Sequence, residues 1–213
     1  AVLARSDATL APAVRAEILA DVANEADRLY RLVEDLLVLA RFDEGIQLGD
    51  EPALLQRLVP VVVDQERSRW PTVDFAVEVA ADLPAVRGDE TSITQVLRNL
   101  ISNAAKYGDA RGGVTVVVEP TGDGVAVHVR DDGPGIDPRE AEDIFDPFYR
   151  SASTAKMAGG AGIGLYVSRR LVEAMRGRIW ASPRATGGSQ FSFVLPRYAD
   201  DVAGVDDLLD EAG

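Results

Sequence analysis

A chain of 213 residues with 46% hydrophobic and 6% aromatic residues has the composition of an ordinary α/β protein, long enough for one substantial core and an appendage. It has no cysteine, which excludes a disulfide framework and a thiolate metal site, and its formal net charge of -13 argues against nonspecific binding to nucleic acid. No apolar run approaches the roughly 20 residues that cross a bilayer, and no secretory signal opens the chain, so a cytoplasmic segment is expected.

From Pro12 to Phe42 apolar residues recur at Ile18, Val22, Ala26, Leu29, Leu32, Leu36 and Leu39, widened by Val33, Leu37 and Ala40. This is the pattern of a long amphipathic helix with a near-heptad seam. Such a helix either faces the core of its own domain or pairs in a bundle. Its length, and its place before a break at about Gly45, favour the bundle or dimer. Beyond the break, Leu54 to Arg69 reads as a helix, Val73 to Val79 and Ala85 to Arg87 as strands, and Glu90 to Tyr107 as a helix. Val114 to Glu119 and Gly124 to Asp131 form a hairpin through Pro120-Thr121-Gly122-Asp123. A short helix over Pro138 to Ile144 and a longer one over Ile163 to Ala174 follow, and strands over Gly177 to Ser182 and Ser189 to Leu195 complete the sheet. Strands in antiparallel pairs with helices on one face predict an α/β fold of the α+β kind, a two-layer sandwich preceded by the long helix. The predicted divisions are 1–45, 46–198 and an acidic tail over 199–213. The tail carries Asp200, Asp201, Asp206, Asp207, Asp210 and Glu211 and reads as solvated, although Val202, Val205, Leu208 and Leu209 are spaced as in a short docked helix.

The residues suited to chemistry lie in Asn99 to Gly108, Asp131 to Ile136 and Gly160 to Leu165. On a helix Asn99 and Asn103 share a face, with Lys106 and Tyr107 one turn further along. Asp131 closes the alternating run Val125 to Val129, and the turn Gly133-Pro134-Gly135 lets backbone approach a ligand at the strand's end. Taken alone, Asp-Asp-Gly would be an ordinary loop, and Asp132 is read as solvated. Gly160, Gly162, Ile163, Gly164 and Leu165 open a helical stretch, whose first amides suit phosphates. Between Phe148 and Gly160 runs a polar, small-residue stretch without periodicity, the mark of a functional lid or of disorder. Phe145 and Phe148 read as core anchors of its base. His128, the only histidine, stands between Val127 and Val129 and is expected on a partly exposed strand face.

In these segments the chain resembles the ATP-binding catalytic domain of bacterial sensor histidine kinases, within the wider group that includes gyrase-type ATPases. Asn99 to Gly108 is similar to the family's N box, Asp131 to Ile136 to its first glycine box, and Asp143 to Arg150 to its F box. Gly160 to Leu165 and Gly187-Gly188-Ser189-Gln190-Phe191 are similar to its second and third glycine boxes. Any one alone would be weak, whereas all of them in the family's order are specific.

The resemblance implies the same sandwich fold, and ATP with Mg2+ as the bound species. It implies Asn103 as the magnesium ligand, Asn99 on the triphosphate side, Lys106 supplying charge, Tyr107 over the adenine and Asp131 accepting from the adenine amino group. Gly133, Gly135, Ile136, Phe148, Gly160, Gly162, Ile163, Gly164 and Leu165 would line the remainder. Arg150 and Lys156 would reach phosphates when the lid closes. An acidic chain that holds a polyanion must concentrate such cations locally.

Ala23 to Arg41 is similar to the second helix of the kinases' dimerisation bundle, with Ala1 to Arg5 as the tail of the first helix and Ser6 to Pro12 as the hairpin. The family's acceptor histidine would lie upstream of Ala1, so His128 is not the acceptor and these residues alone should not autophosphorylate. The start at Ala1 without methionine suggests a fragment of a membrane-anchored bacterial sensor, with a naturally short chain as the alternative. The implied partners are ATP, the upstream acceptor helix, a response regulator receiver domain and a second copy through 12–42. In the ATPase relatives a glutamate four residues before the magnesium asparagine activates water, and this chain has Asn99 there. That favours phosphoryl transfer to a protein over hydrolysis. A nucleotide-binding regulatory or pseudokinase domain is the competing reading.

Overall fold

The computed structural model describes residues 11–43, 49–108, 112–151 and 161–198. The expected first-helix tail, the break at Gly45, most of the lid with Lys156 and Gly160, and the acidic tail fall outside the described residues.

The chain divides into two compact units, Ala1–Ile46 and Gln47–Gly213. In the first, α1 runs Pro12–Asp43, one residue beyond its predicted end. Along it Ile18, Val22, Leu29, Val33, Leu36 and Leu37 are exposed in the single chain, Leu29 by 56% and Leu36 by 54%. Among the described residues, no helix is long and apolar enough to cross a membrane.

In the second unit β2 (Asp74–Val79), β4 (Gly113–Pro120), β5 (Gly124–Asp131), β6 (Arg178–Pro183) and β7 (Ser189–Pro196) form one sheet in the order β2-β4-β5-β7-β6. Helices α2 (Leu55–Arg69), α3 (Glu90–Tyr107) and α4 (Gly164–Ala174) pack against it. The helix α3 forms because Ile93, Val96, Leu97, Leu100, Ile101 and Ala104 repeat at helical spacing and are all buried. Its start is fixed by Asp89, whose carboxylate accepts from the Ser92 backbone N–H at 2.7 Å, and Gly108 caps its end. Under α3 lie Val125, Val127 and Val129 of β5, all fully buried. Each such side chain contributes about 1.5 to 3 kcal/mol by leaving water.

Three expectations are corrected. The strands are not all antiparallel, since β2 pairs parallel with β4, Val77 opposite Val116. The chain leaves β2 and passes through β3 (Val86–Arg87) and α3 before returning beside it, and a crossover of that length yields parallel strands. The helix expected over Pro138 to Ile144 is instead a set of turns ending in a 3₁₀ turn, Asp143–Phe145. Asp137 accepts from the Arg139 backbone N–H at 2.9 Å, a local bond that competes with helix formation. His128 is buried rather than partly exposed, at 9%. Its Nδ1 lies 2.8 Å from Ser192 Oγ on the neighbouring strand, and the Trp180 ring stands edge-on at 6.2 Å. The strand expected over Ala85 to Arg87 is β3, and it pairs with β1 (Pro52–Ala53), a two-residue strand too short to show periodicity, in a small second sheet.

Replacing Leu100, fully buried on α3, by alanine should cost about 2 to 5 kcal/mol. Denaturant unfolding should show this as a lower midpoint at an unchanged slope.

Candidate nucleotide site

Three pieces of chain meet where α3 ends. The last turn of α3 carries Tyr107 and Gly108, β5 delivers Asp131, and the glycine turn after it folds back over both. The approach is so close that a β-carbon on Gly133 would stand 2.5 Å from the Tyr107 carbonyl oxygen, so only glycine fits there. The same holds opposite. A β-carbon on Gly188, in the turn between β6 and β7 with φ +80, would stand 2.0 Å from the Asp131 carbonyl oxygen.

Asp131 is the centre of this arrangement. It is 3% exposed, and its Oδ1 accepts from the backbone N–H of Gly133 at 2.9 Å and of Ser189 at 3.2 Å. No described residue hydrogen-bonds to Oδ2, which leaves one oriented acceptor free. Burial raises the carboxyl's pKa above its ordinary value, against the lowering influence of those two backbone bonds and of the Arg184 charge. Asp132 is not simply solvated, as the sequence suggested. It forms an ion pair with Arg184 at 2.6 Å and accepts from the Gly113 N–H at 3.3 Å, and the Arg184 bond holds its carboxyl below the usual range.

On the neighbouring part of α3, Asn99 is tied to α4. Its Nδ2 donates to the Gly164 carbonyl at 3.1 Å and to Ser168 Oγ at 3.4 Å. The Ser168 hydroxyl in turn donates to the Gly164 carbonyl at 2.9 Å. Asn103, one turn on, is half-buried, and no described residue hydrogen-bonds to its carboxamide. Lys106 stacks over the Tyr107 ring at 4.8 Å, with its Nζ 3.3 Å from the hydroxyl.

The remaining predicted residues divide. Gly135 and Ile136 follow in the glycine turn, and Gly164 and Leu165 begin α4 beside Asn99. Ile163 is buried at 6% and serves the core at the start of α4. Gly162 packs on Phe148, whose N–H donates to the Gly162 carbonyl at 2.9 Å. Phe145 is the core anchor that was expected, 1% exposed beneath the Arg169 guanidinium at 4.7 Å. Phe148 is not an anchor. It is 71% exposed at φ 65, because closing against Gly162 turns its side chain outward. Arg150 is exposed as well.

Among the described residues no three acidic, histidine or cysteine side chains gather to hold a metal. The hard oxygen of the unengaged Asn103 carboxamide still fits Mg2+, which takes most of its ligands from phosphate and water. Sequence reasoning missed Ser189 as a fixing donor and Arg184 altogether. The third glycine box pointed at Ser189, whereas a lone arginine in a turn gave no signal.

A mixed sheet covered by helices, with glycine turns gathered around a buried aspartate, is the architecture of one ATPase class. The chain belongs to the histidine kinase-, DNA gyrase B-, and HSP90-like ATPase family, whose model matches residues 88–199. It is 36% identical over 179 residues to the sensor histidine kinase WalK of Bacillus subtilis strain 168, covering 81% of this chain and 29% of WalK. It is 32% identical over 191 residues to the adaptive-response sensory kinase SasA of Synechocystis sp., covering 88% of this chain and 50% of SasA. The chain therefore spans half or less of these relatives' length. Full-length ShkA in complex with AMPPNP superposes with a TM-score of 0.71 at 29% identity, over 90% of this chain and 40% of ShkA. Histidine kinase ThkA in complex with the response regulator TrrA gives 0.66 at 25%, over 92% and 55%. The domain is thus the histidine kinase form of this ATPase fold.

The raised pKa of Asp131 carries a consequence for stability. A carboxyl whose folded pKa lies above its unfolded value contributes stability below the unfolded value, and that contribution is lost as pH rises through the folded one. At neutral pH, well above the unfolded value, burial of this carboxyl therefore burdens the ligand-free fold. Asp131→Asn, which can still accept from Gly133 and Ser189, should melt higher than wild type at pH 7 and lose that advantage in acid. Thermal scans across pH check this.

Proposed function

We propose that this chain is the ATP-binding, phosphoryl-donating part of a two-component sensor histidine kinase, acting on a histidine of an upstream segment for relay to an aspartate of a response regulator. The observation that carries this reading is Asn99. Its carboxamide nitrogen is held by Gly164 and Ser168, so the side chain is oriented, yet an amide has no capacity to take a proton from water.

The geometry supports a role for each residue. Asp131, with Oδ1 fixed by two amides, offers Oδ2 to an exocyclic amino group, which adenine has at that edge and guanine lacks. Tyr107 and Ile136 flank the base, the turn at Gly133 and Gly135 admits it, and the first amides of α4, from Gly164 on, face phosphate. Asn103 would hold Mg2+, and bound there the ion supplies charge neutralisation and in-line orientation of the triphosphate. Lys106 and Arg150 add positive charge, as would Gly162 and Leu165 their backbone and bulk at the lid's hinge. In the transfer, the bond from the γ-phosphorus to the bridging oxygen breaks, a bond to the acceptor imidazole nitrogen forms, and ADP leaves. Positioning then dominates catalysis.

The α1 helix is proposed to pair with a second copy or with a first bundle helix supplied upstream. Several large apolar side chains left in water would cost roughly 1.5 to 3 kcal/mol each. The relatives' names and the regulator complex of ThkA support a response regulator as partner.

Calorimetry should find magnesium-dependent binding of ATP with negligible phosphate release. Magnesium-independent affinity or ordinary ATPase turnover would sink the reading. Asp131→Asn should weaken ATP binding by about 1 to 3 kcal/mol. Replacing Leu29 and Leu36 together by aspartate should shift the chain toward monomer in sedimentation while leaving ATP affinity intact.

A further inference from the structure

The turn between β6 and β7 does more than present glycines. Arg184 sits in it, held by its own N–H donating to the Gly188 carbonyl at 3.1 Å and by its carbonyl accepting from the Gly187 N–H at 3.1 Å. From there one terminal nitrogen, Nη1, donates to the Asp131 carbonyl oxygen at 2.6 Å and to Asp132 Oδ1 at 2.6 Å. Both acceptors belong to the end of β5 and the start of its glycine turn. The guanidinium therefore staples the β6–β7 turn to the strand end that carries the candidate base-selecting carboxylate. The staple and the Ser189 N–H reach Asp131 from the same turn, so moving one moves the other.

We propose that Arg184 is a positioning residue for nucleotide recognition, clamping the Asp131 backbone and the Asp132 carboxylate so that Ser189 and Gly133 hold Asp131 Oδ1 and leave Oδ2 aimed at the base. The inference rests on the reading of Asp131 as the adenine acceptor. Arg184 itself touches no base in this arrangement. It acts by geometry, through the turn, and by charge, as the cation facing Asp131. Asp132 is the other charged group facing that carboxyl, and it opposes Arg184 by raising the carboxyl's pKa. A charge-assisted clamp of this kind is stronger than a neutral one. The clamp is also only partly shielded, with the Arg184 side chain 25% and the Asp132 side chain 52% exposed, which makes salt a second handle on it.

The test is Mg-ADP affinity of the whole chain, measured across pH for wild type, Arg184→Gln, Arg184→Lys and Asp131→Asn, with thermal unfolding alongside. Arg184→Gln should bind on the order of five-fold more weakly at pH 7. It should also lose affinity at a higher pH than wild type on acidification, because Asp131 loses its cationic neighbour and takes up its proton more readily. Titration of the nucleotide phosphates is common to all the proteins and drops out of the comparison. Arg184→Lys should restore part of both effects, which a residue serving only the fold through its shape would not do. If Arg184→Gln binds ADP with wild-type affinity and pH dependence while Asp131→Asn is impaired, the role of Arg184 is overturned and the site reading stands. If Asp131→Asn also binds like wild type, the site reading falls first. Should Arg184→Gln not fold, Asp132→Ala removes the other jaw of the clamp. A two- to three-fold loss is then expected, and wild-type affinity overturns the proposal.

Discussion

The candidate site is organised around one carboxylate that the fold holds under protest. Asp131 is 3% exposed, and the cost of removing its charge from water raises its pKa. Two backbone amides, from Gly133 and Ser189, offset part of that cost, and both saturate the same oxygen. A carboxylate with one oxygen fixed and the other free has a defined direction. That direction is what distinguishes a recognition group from an ordinary buried charge.

Much of the neighbouring sequence is constrained by the need to bring those amides in. The Gly133 turn has to lie on the last turn of α3, and the Gly188 turn has to lie on the strand end, at distances where a β-carbon would collide with backbone oxygen. Burial of Val125, Val127 and Val129 under α3 holds β5 in register, so the core fixes where Asp131 emerges. The bond from Asn99 to Gly164 and Ser168 then sets the start of α4 against the same helix. Core packing and site geometry are joined through α3, which presents its apolar face to the sheet and Asn99 to the start of α4.

The extent to which this was legible in the sequence follows from range. α3 was readable to the residue, Glu90 to Tyr107, because its helical pattern is local to the segment, and the Asp89 and Gly108 caps lie immediately at its two ends. The association of Asp131 with its glycine turn was readable because both lie in one short segment. The parallel pairing of β2 with β4 was not, since strand direction is decided by the crossover and not by the residues of either strand. Nor was the bond between Arg184 and Asp132, which joins positions 52 apart. His128 misled for a similar reason. Alternation placed it on the sheet's outer face, but its burial depends on Ser192 and Trp180, supplied by other strands. Phe148 failed because its exposure is set by a backbone turn at φ 65 that hydrophobicity does not report.

The central claim is that Asp131 reads an amino group on the base. It is tested most directly by comparing the affinities of the unmodified chain for Mg-ADP and Mg-IDP, which share sugar and phosphates but carry an amino group and a carbonyl oxygen, respectively, at the recognised position. The account predicts a preference for ADP of at least about ten-fold, since the carbonyl would face a buried acceptor with no proton between them. Equal affinity for the two diphosphates would contradict it.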